Sequence, residues 1–453
     1  MARMTLFFVL LMAAIAVALP SRNIQKRSFK APVRGRTPQG PLNDVLRVHQ
    51  KYGTLDAAAV ISTTSRDVPA PFPTSFSTSY GTQPLLSTLT VVSALETIAP
   101  ASYKPFPNAT ISSAASVTKD NEDGEVTATP EENEIQYLSP VTVGGQLLNL
   151  NFDTGSSDLW VFSSELGPKY IGDHSIFNSS LSDTYEAYDN ATWSIQYGDG
   201  SYANGIVGFD TVDVGGSTVD KQCIELAVHI SPAFVRDPVS DGLLGLGFGS
   251  INRVQPTPQK TFFENVMDDL TEPLFTADLE DNMGTGTYEF GAIDTSKFQG
   301  DIHYVDVDNS DGWWQFPLPS VKFGNRTMTC NSTCAPAIAD TGTSLLYLDS
   351  DVVTAYYDQV EDSQVWQMSS YIYPCGAKLP DLSLQIGDHY MTISGDDMTY
   401  LEFGGEAEGP AGRCMGGLQA GPAGMQILGD VFLKQVFAVF DGGNLRFGVA
   451  EKN

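Results

Sequence analysis

Histidine and cysteine are both scarce in this chain of 453 residues, at five each. The cysteines form no Cys-x-x-Cys pair and the histidines do not cluster, so no metal centre is signalled and no cofactor is expected. Runs rich in Ala, Leu, Lys and Glu are few, whereas glycine (42) and aromatic residues (10 %) are plentiful. That balance fits a mainly β protein with many turns. Basic side chains are a third shortage: 25 Lys and Arg stand against 54 Asp and Glu, a net charge of −29. Such a surface repels phosphates, which excludes nucleic acid as a partner. Long apolar runs are the fourth. Only residues 1–20, MARMTLFFVLLMAAIAVALP, are apolar enough to notice. They are too short for a membrane span and read as a secretory signal. The C-terminal RFGVAEKN has no hydrophobic tail, so no lipid or membrane anchor is expected.

What is present is unevenly divided. Residues 1–119 hold 12 basic and 4 acidic side chains, and residues 120–453 hold 13 and 50. After the signal come the dibasic pair Lys26-Arg27 and a short amphipathic stretch in which Leu42, Val45, Leu46 and His49 fall at helical spacing. Residues 54–118 are rich in Ser, Thr, Ala and Pro, the composition of a linker. A basic segment ahead of an acidic domain suggests electrostatic docking that weakens as carboxylates protonate. A simple solubility bias would give the same split. Five Asn-x-Ser/Thr sequons, at Asn108, Asn178, Asn190, Asn325 and Asn331, fit a secreted glycoprotein.

The acidic part reads as strands. YLSPVTVGGQLLNLNFDTG alternates around a Gly-Gly turn, the pattern of a hairpin. WSIQYGDGSYANGIVGFDTVDVGG gives two more strands around Tyr197-Gly198-Asp199-Gly200. Helix candidates are few: residues 256–270 and 350–360. One four-residue knot occurs twice. LNFDTGSSDLWVF (150–162) carries Asp153-Thr154-Gly155-Ser156, and IADTGTSLLYL (338–348) carries Asp340-Thr341-Gly342-Thr343. Each is followed, about 90 residues on, by two apolar residues and a glycine, in DGLLGLG and ILGD. The repeat is too long for a solenoid and implies two similar lobes.

A carboxylate in apolar surroundings is costly unless it is hydrogen-bonded or does chemistry. One such knot could be an ordinary Asx-turn. Two, one per lobe, could bring their carboxyls together. Like charges at short range cannot both ionise, so the pair would hold one proton in acid. The ionised member could then take a proton from water while the protonated one donates to a carbonyl oxygen.

Taken together, FDTGSSDLWV, IQYGDGSY, DGLLGLGF, IADTGTSLL and ILGDVFLKQVFAVFD resemble the pepsin-like aspartic endopeptidases, in style the secreted fungal ones of the aspergillopepsin and penicillopepsin type. The resemblance spans nearly the whole chain. It implies a mainly β, bilobal fold with the active-site cleft between two similar β lobes. It divides the chain into a signal peptide (1–20), a basic prosegment and Ser/Thr-rich linker (21–119), and lobes at 120–305 and 306–453. The mature chain would begin near Lys119–Gly124, and the prosegment would inhibit it within the same molecule. Asp153 and Asp340 would be catalytic, with Thr154, Gly155, Ser156, Thr341, Gly342 and Thr343 supporting them. Tyr197, Gly198, Asp199 and Trp160 would contact the substrate, although Tyr197 and Trp160 could equally fill a core. Asp199 could accept Lys before the cut, beside a general preference for hydrophobic residues. The resemblance also pairs Cys375 with Cys414. It pairs Cys330 with Cys334 too, one residue further from the second Asp than in pepsin, and leaves Cys223 as a buried thiol. Protein or peptide substrates, a monomer, secretion and acid-pH hydrolysis follow as expectations. A vacuolar address and a catalytically silent binding module of the same fold are the alternatives.

Overall fold

The computed structural model describes residues 122–131, 134–197, 201–237, 239–329, 335–403 and 410–453. The signal and prosegment, Asn108, Asn331, Gly198, Asp199 and the Cys330–Cys334 pair lie outside the described residues. Strands dominate the rest. In the first half they are β1 (Gly124–Pro130), β2 (Tyr137–Val143), β3 (Gln146–Asp153), β4 (Leu159–Val161), β5 (Glu186–Gln196), β6 (Tyr202–Val214), β7 (Ser217–Ile230), β8 (Gly242–Gly245), β9 (Leu274–Asp278), β10 (Gly286–Phe290) and β11 (Phe298–Asp306). Next come β12 (Gln315–Phe316), β13 (Ser320–Phe323), β14 (Arg326–Thr329), β15 (Ala337–Ala339), β16 (Leu346–Leu348), β17 (Gln364–Val365) and β18 (Tyr371–Pro374). The last are β19 (Leu382–Ile386), β20 (His389–Ile393), β21 (Thr399–Glu402), β22 (Arg413–Gly416), β23 (Leu418–Ala420), β24 (Gln426–Leu428), β25 (Val436–Asp441) and β26 (Arg446–Lys452).

Local chemistry sets these boundaries. Gly144 and Gly145 turn β2 into β3 at φ 51° and 75°. Two consecutive left-handed residues match the right-handed twist of a hairpin, and glycine adopts them without penalty. The helix expected across 256–270 is shorter, Phe262–Val266 with a 3-10 turn after it. Thr261 starts it through a capping box with Glu264, and the proline-rich residues before Thr261 stay outside. The second expected helix runs Ser350–Tyr357.

The strands form a 13-stranded sheet ordered β11-β26-β25-β9-β10-β1-β2-β3-β8-β4-β7-β6-β5, and smaller sheets of five, four and four strands. The five-stranded sheet, β12-β15-β24-β16-β23, has the same local plan as β2-β3-β8-β4-β7. In both, the strand entering the Asp-Thr-Gly knot lies parallel to the strand of the Leu-Gly motif (β3 with β8, β15 with β24), which runs antiparallel to the strand after the knot. The strand after the knot is parallel to a further one, β4 with β7 and β16 with β23. The largest apolar cluster runs through both halves, from Val126 and Phe152 to Phe440 and Val449. A separate cluster of Trp160, Phe162, Trp193, Tyr197, Phe234 and Val254 fills the first half beside its knot.

Candidate active site

Apolar strands carry both knots into the interior. Asp153 ends β3 and Asp340 directly follows β15. The threonines then cross between the loops. Thr154 N–H donates to Thr341 Oγ1 at 3.1 Å, and Thr341 N–H donates to Thr154 Oγ1 at 3.0 Å. Each hydroxyl also donates to a carbonyl of the opposite strand, Thr154 Oγ1 to Ala339 at 2.8 Å and Thr341 Oγ1 to Phe152 at 2.7 Å. All four groups are buried, so breaking any one bond strands a polar atom away from water.

The carboxyls are held in matching ways. Gly155 N–H donates to Asp153 Oδ1 at 2.9 Å, and Ser156 Oγ donates to Asp153 Oδ2 at 2.6 Å. Gly342 N–H donates to Asp340 Oδ1 at 2.9 Å, and Thr343 Oγ1 donates to Asp340 Oδ2 at 2.5 Å. Both aspartates are almost wholly buried. A methyl group added to Gly155 would lie 2.5 Å from the Asp340 carboxyl carbon, and one added to Gly342 would collide with Asp153 in the same way. Each glycine is thus packed against the other loop's carboxyl, which brings the two aspartates face to face.

Beside this pair, Trp160 Nε1 donates to Tyr197 Oη at 2.8 Å. Tyr197 directly follows β5, and its N–H donates to Ser201 O at 2.8 Å. Phe234 braces both rings edge-on, with centroids 4.9 Å from Trp160 and 5.7 Å from Tyr197. Asp153, Asp340 and their supporting residues therefore form one hydrogen-bonded group, and Trp160, four residues beyond Ser156, and Tyr197 belong to the aromatic cluster of the first half.

A family model for eukaryotic aspartyl proteases matches residues 136–452. The chain belongs to that family. It is an aspartic endopeptidase of the aspergillopepsin type, and its mainly β fold is the bilobal one of pepsin-like proteases. Aspergillopepsin-1 of Aspergillus fumigatus is 46 % identical over 329 residues, which cover 72 % of this chain and 81 % of that protein. Aspergillopepsin-1 of Aspergillus oryzae is 45 % identical with the same coverage. Penicillopepsin-1 of Talaromyces stipitatus is 42 % identical, covering 75 % of this chain and 84 % of its own.

Several features lie where the sequence placed them. Cys375 and Cys414 are disulfide-bonded, and Cys223 is a buried free thiol. Among the sequons, Asn190 and Asn325 are exposed, while the Asn178 side chain accepts from Ser180 N–H. No helix among the described residues is long and apolar enough to cross a membrane.

Other buried carboxyls went unread. Asp430, in the ILGD motif, is 2 % exposed, and neither oxygen meets a donor among the described residues. Burial first, and then the charge of Asp340, push its carboxyl well above the usual range, against the pull of Lys434. Lys434 itself pairs with Glu134 at 2.5 Å. Asp158 and Glu225 form a second buried group behind the first loop. The signal was available for Glu225: it stands inside the apolar run CIELAV, the same anomaly that marked the knots.

Proposed function

We propose that the protein is made as a secreted zymogen and hydrolyses peptide bonds at acid pH, with Asp153 and Asp340 as the catalytic pair. The observation carrying this reading is the crossed threonine grip, which packs each knot glycine against the opposite carboxyl. Two carboxyls so placed hold one proton between them in acid. The ionised one removes a proton from a water whose oxygen attacks the scissile carbonyl carbon. The protonated one donates to the carbonyl oxygen. The tetrahedral diol then collapses, the C–N bond breaks, and the amine nitrogen leaves with a proton. Ser156 and Thr343 steady the outer oxygens, so that the pair keeps its geometry as protons move. Tyr197, positioned by Trp160, closes over the substrate.

The lobes at 120–305 and 306–453 act as one enzyme, inhibited until release by the basic segment at 21–119. Secretion is the proposed destination, with the vacuole as the other address. Hydrophobic residues around the cut are preferred, and Asp199 allows Lys before it. Asp199→Ala should abolish cleavage after Lys while sparing cleavage after Phe or Leu, and equal loss of both would remove Asp199 from the pocket. The decisive experiment is hydrolysis of an unfolded protein from about pH 3 to about pH 7, with and without a statine-type inhibitor and with Asp153→Asn. Activity confined to acid and lost in both controls is the expected result. No activity at any pH after prosegment removal would leave a binding module.

A further inference from the structure

The carboxyls of Asp158 and Glu225 take no part in the chemistry above, yet they sit directly behind the first catalytic loop. Asp158 lies two residues beyond Ser156, and its carbonyl accepts from Gly245 N–H at 3.0 Å. Glu225 stands on β7 opposite Trp160 of β4. Each is 1 % exposed. Asn252 ties them together. Its Nδ2 lies 3.1 Å from Asp158 Oδ1, 3.0 Å from Glu225 Oε1 and 3.1 Å from the Ser157 carbonyl. Its Oδ1 accepts from Val254 N–H at 3.1 Å and Gln259 N–H at 2.9 Å, which fixes the amide's orientation. An amide nitrogen has only two protons for those three acceptors. Arg253 N–H adds a bond to Asp158 Oδ1 at 2.7 Å. No N–H or hydroxyl among the described residues reaches Glu225 Oε2.

The donors are unequally shared. Asp158 has the Arg253 N–H and part of Asn252, and Glu225 has only part of Asn252. Asp158 is therefore the better anion and Glu225 the better acid. The other groups facing them do not alter this. Asp153 repels a charge on Asp158, and Arg253 attracts one. Cys223, two residues back on β7, is kept a neutral thiol by burial and by both carboxyls. Glu264, on the helix packed against β7, is occupied by the N–H groups of Gly249 and Thr261. The β6 residue opposite Glu225 is apolar Val207.

The second lobe supplies a control. Strand register makes Leu345 the counterpart of Asp158, and Gln419, opposite Tyr347, the counterpart of Glu225. Gln419 is just as buried and meets its needs with neutral bonds to Gly416 O, Tyr371 O and Tyr371 N–H. The same backbone plan thus forms without either acid.

We propose that Glu225 is a positioning residue for the Asp153 loop: as a carboxylic acid it donates to Asp158, and the proton the two share sets the upper pH at which that loop keeps its shape. Burial pushes both carboxyls upward, Asp158 to about 6 and Glu225 well above the usual carboxylate range. The folded state therefore binds this proton more tightly than the unfolded chain. Stability from the pair is complete below the ordinary carboxylate range, falls as pH rises through about 6, where Asp158 ionises, and falls further at higher pH as Glu225 gives up the remaining proton. The activity consequence rests on the function proposed above, whereas the stability consequence does not.

The test compares wild type, Glu225→Gln and Asp158→Asn by melting temperature and by kcat/KM from about pH 4 to about pH 8. Glutamine keeps a donor toward Asp158 that cannot titrate. Glu225→Gln should flatten the fall in Tm above pH 6, move the upper activity limb up by roughly one pH unit, and leave kcat/KM in acid within about threefold. Asp158→Asn keeps the titrating acid and should retain the fall. The double variant Asp158→Leu/Glu225→Gln installs the pair that the second lobe already carries, and it should flatten the profile even if the single variant folds poorly. A wild-type pH dependence of Tm in both Glu225→Gln and the double variant would overturn the proposal. Loss of all hydrolysis in wild type, with the Tm effect intact, would instead overturn the proposed function alone.

Discussion

The two halves follow one plan around their Asp-Thr-Gly loops and part company one layer behind them. At the loops, Asp153 matches Asp340, Ser156 matches Thr343, and the threonine bonds differ by 0.1 Å in length. One layer out, Trp160 stands where the second half has Tyr347, Asp158 where it has Leu345, and Glu225 where it has Gln419. The disulfide also belongs to the second half alone among the described residues. Symmetry is strict where the two loops grip each other and is relaxed where each half builds its own wall. The first half spends its freedom on an aromatic wall with Tyr197, Trp160 and Phe234.

The sharpest way to break this comparison is to remove one carboxyl at a time. Asp153→Asn and Asp340→Asn should each lower kcat/KM about 1,000-fold or more, because neither carboxyl can serve as both acid and base. A variant retaining a tenth of wild-type activity in a peptide-cleavage assay would show that the halves are unequal. Next come the glycines. Gly155→Ala and Gly342→Ala place a methyl group against the opposite carboxyl, and each should cost about 100-fold in kcat/KM through misplacement of the pair. Circular dichroism should report an intact fold in both. The smallest effect is expected at the grip. Thr154→Val and Thr341→Val each strand a buried N–H, at a cost of about 1–3 kcal/mol in denaturant unfolding. The two losses should agree, and the double variant should fall short of their sum because both belong to one network.

The knots, both helices, the hairpin around Gly144-Gly145 and the Cys375–Cys414 bridge were legible because each leaves a local trace: a motif, a periodicity or a turn residue. The face-to-face packing of Gly155 on Asp340 was expected only from the doubling of the knot, since no local rule fixes the angle between two lobes. Asn252 left no trace at all. It is an ordinary residue in GSINRV, and its importance arises from three acceptors that come from two distant segments. The helix at Phe262–Val266 came out shorter than its apolar pattern because the cap at Thr261 decides where it begins.

The long sheet has a consequence for synthesis. β9 and β10, made in the middle of the chain, pair on one side with β1 and on the other with β25, and β26 then joins β25 to β11. The first half therefore leaves the ribosome with β9 and β11 still open along the edges that residues 436–452 will occupy. Contacts so distant in sequence form slowly, and exposed edges invite wrong partners in the interval. A half-made chain has both the first aspartate and its loop, but the sheet that joins the halves can close only after the last strands arrive.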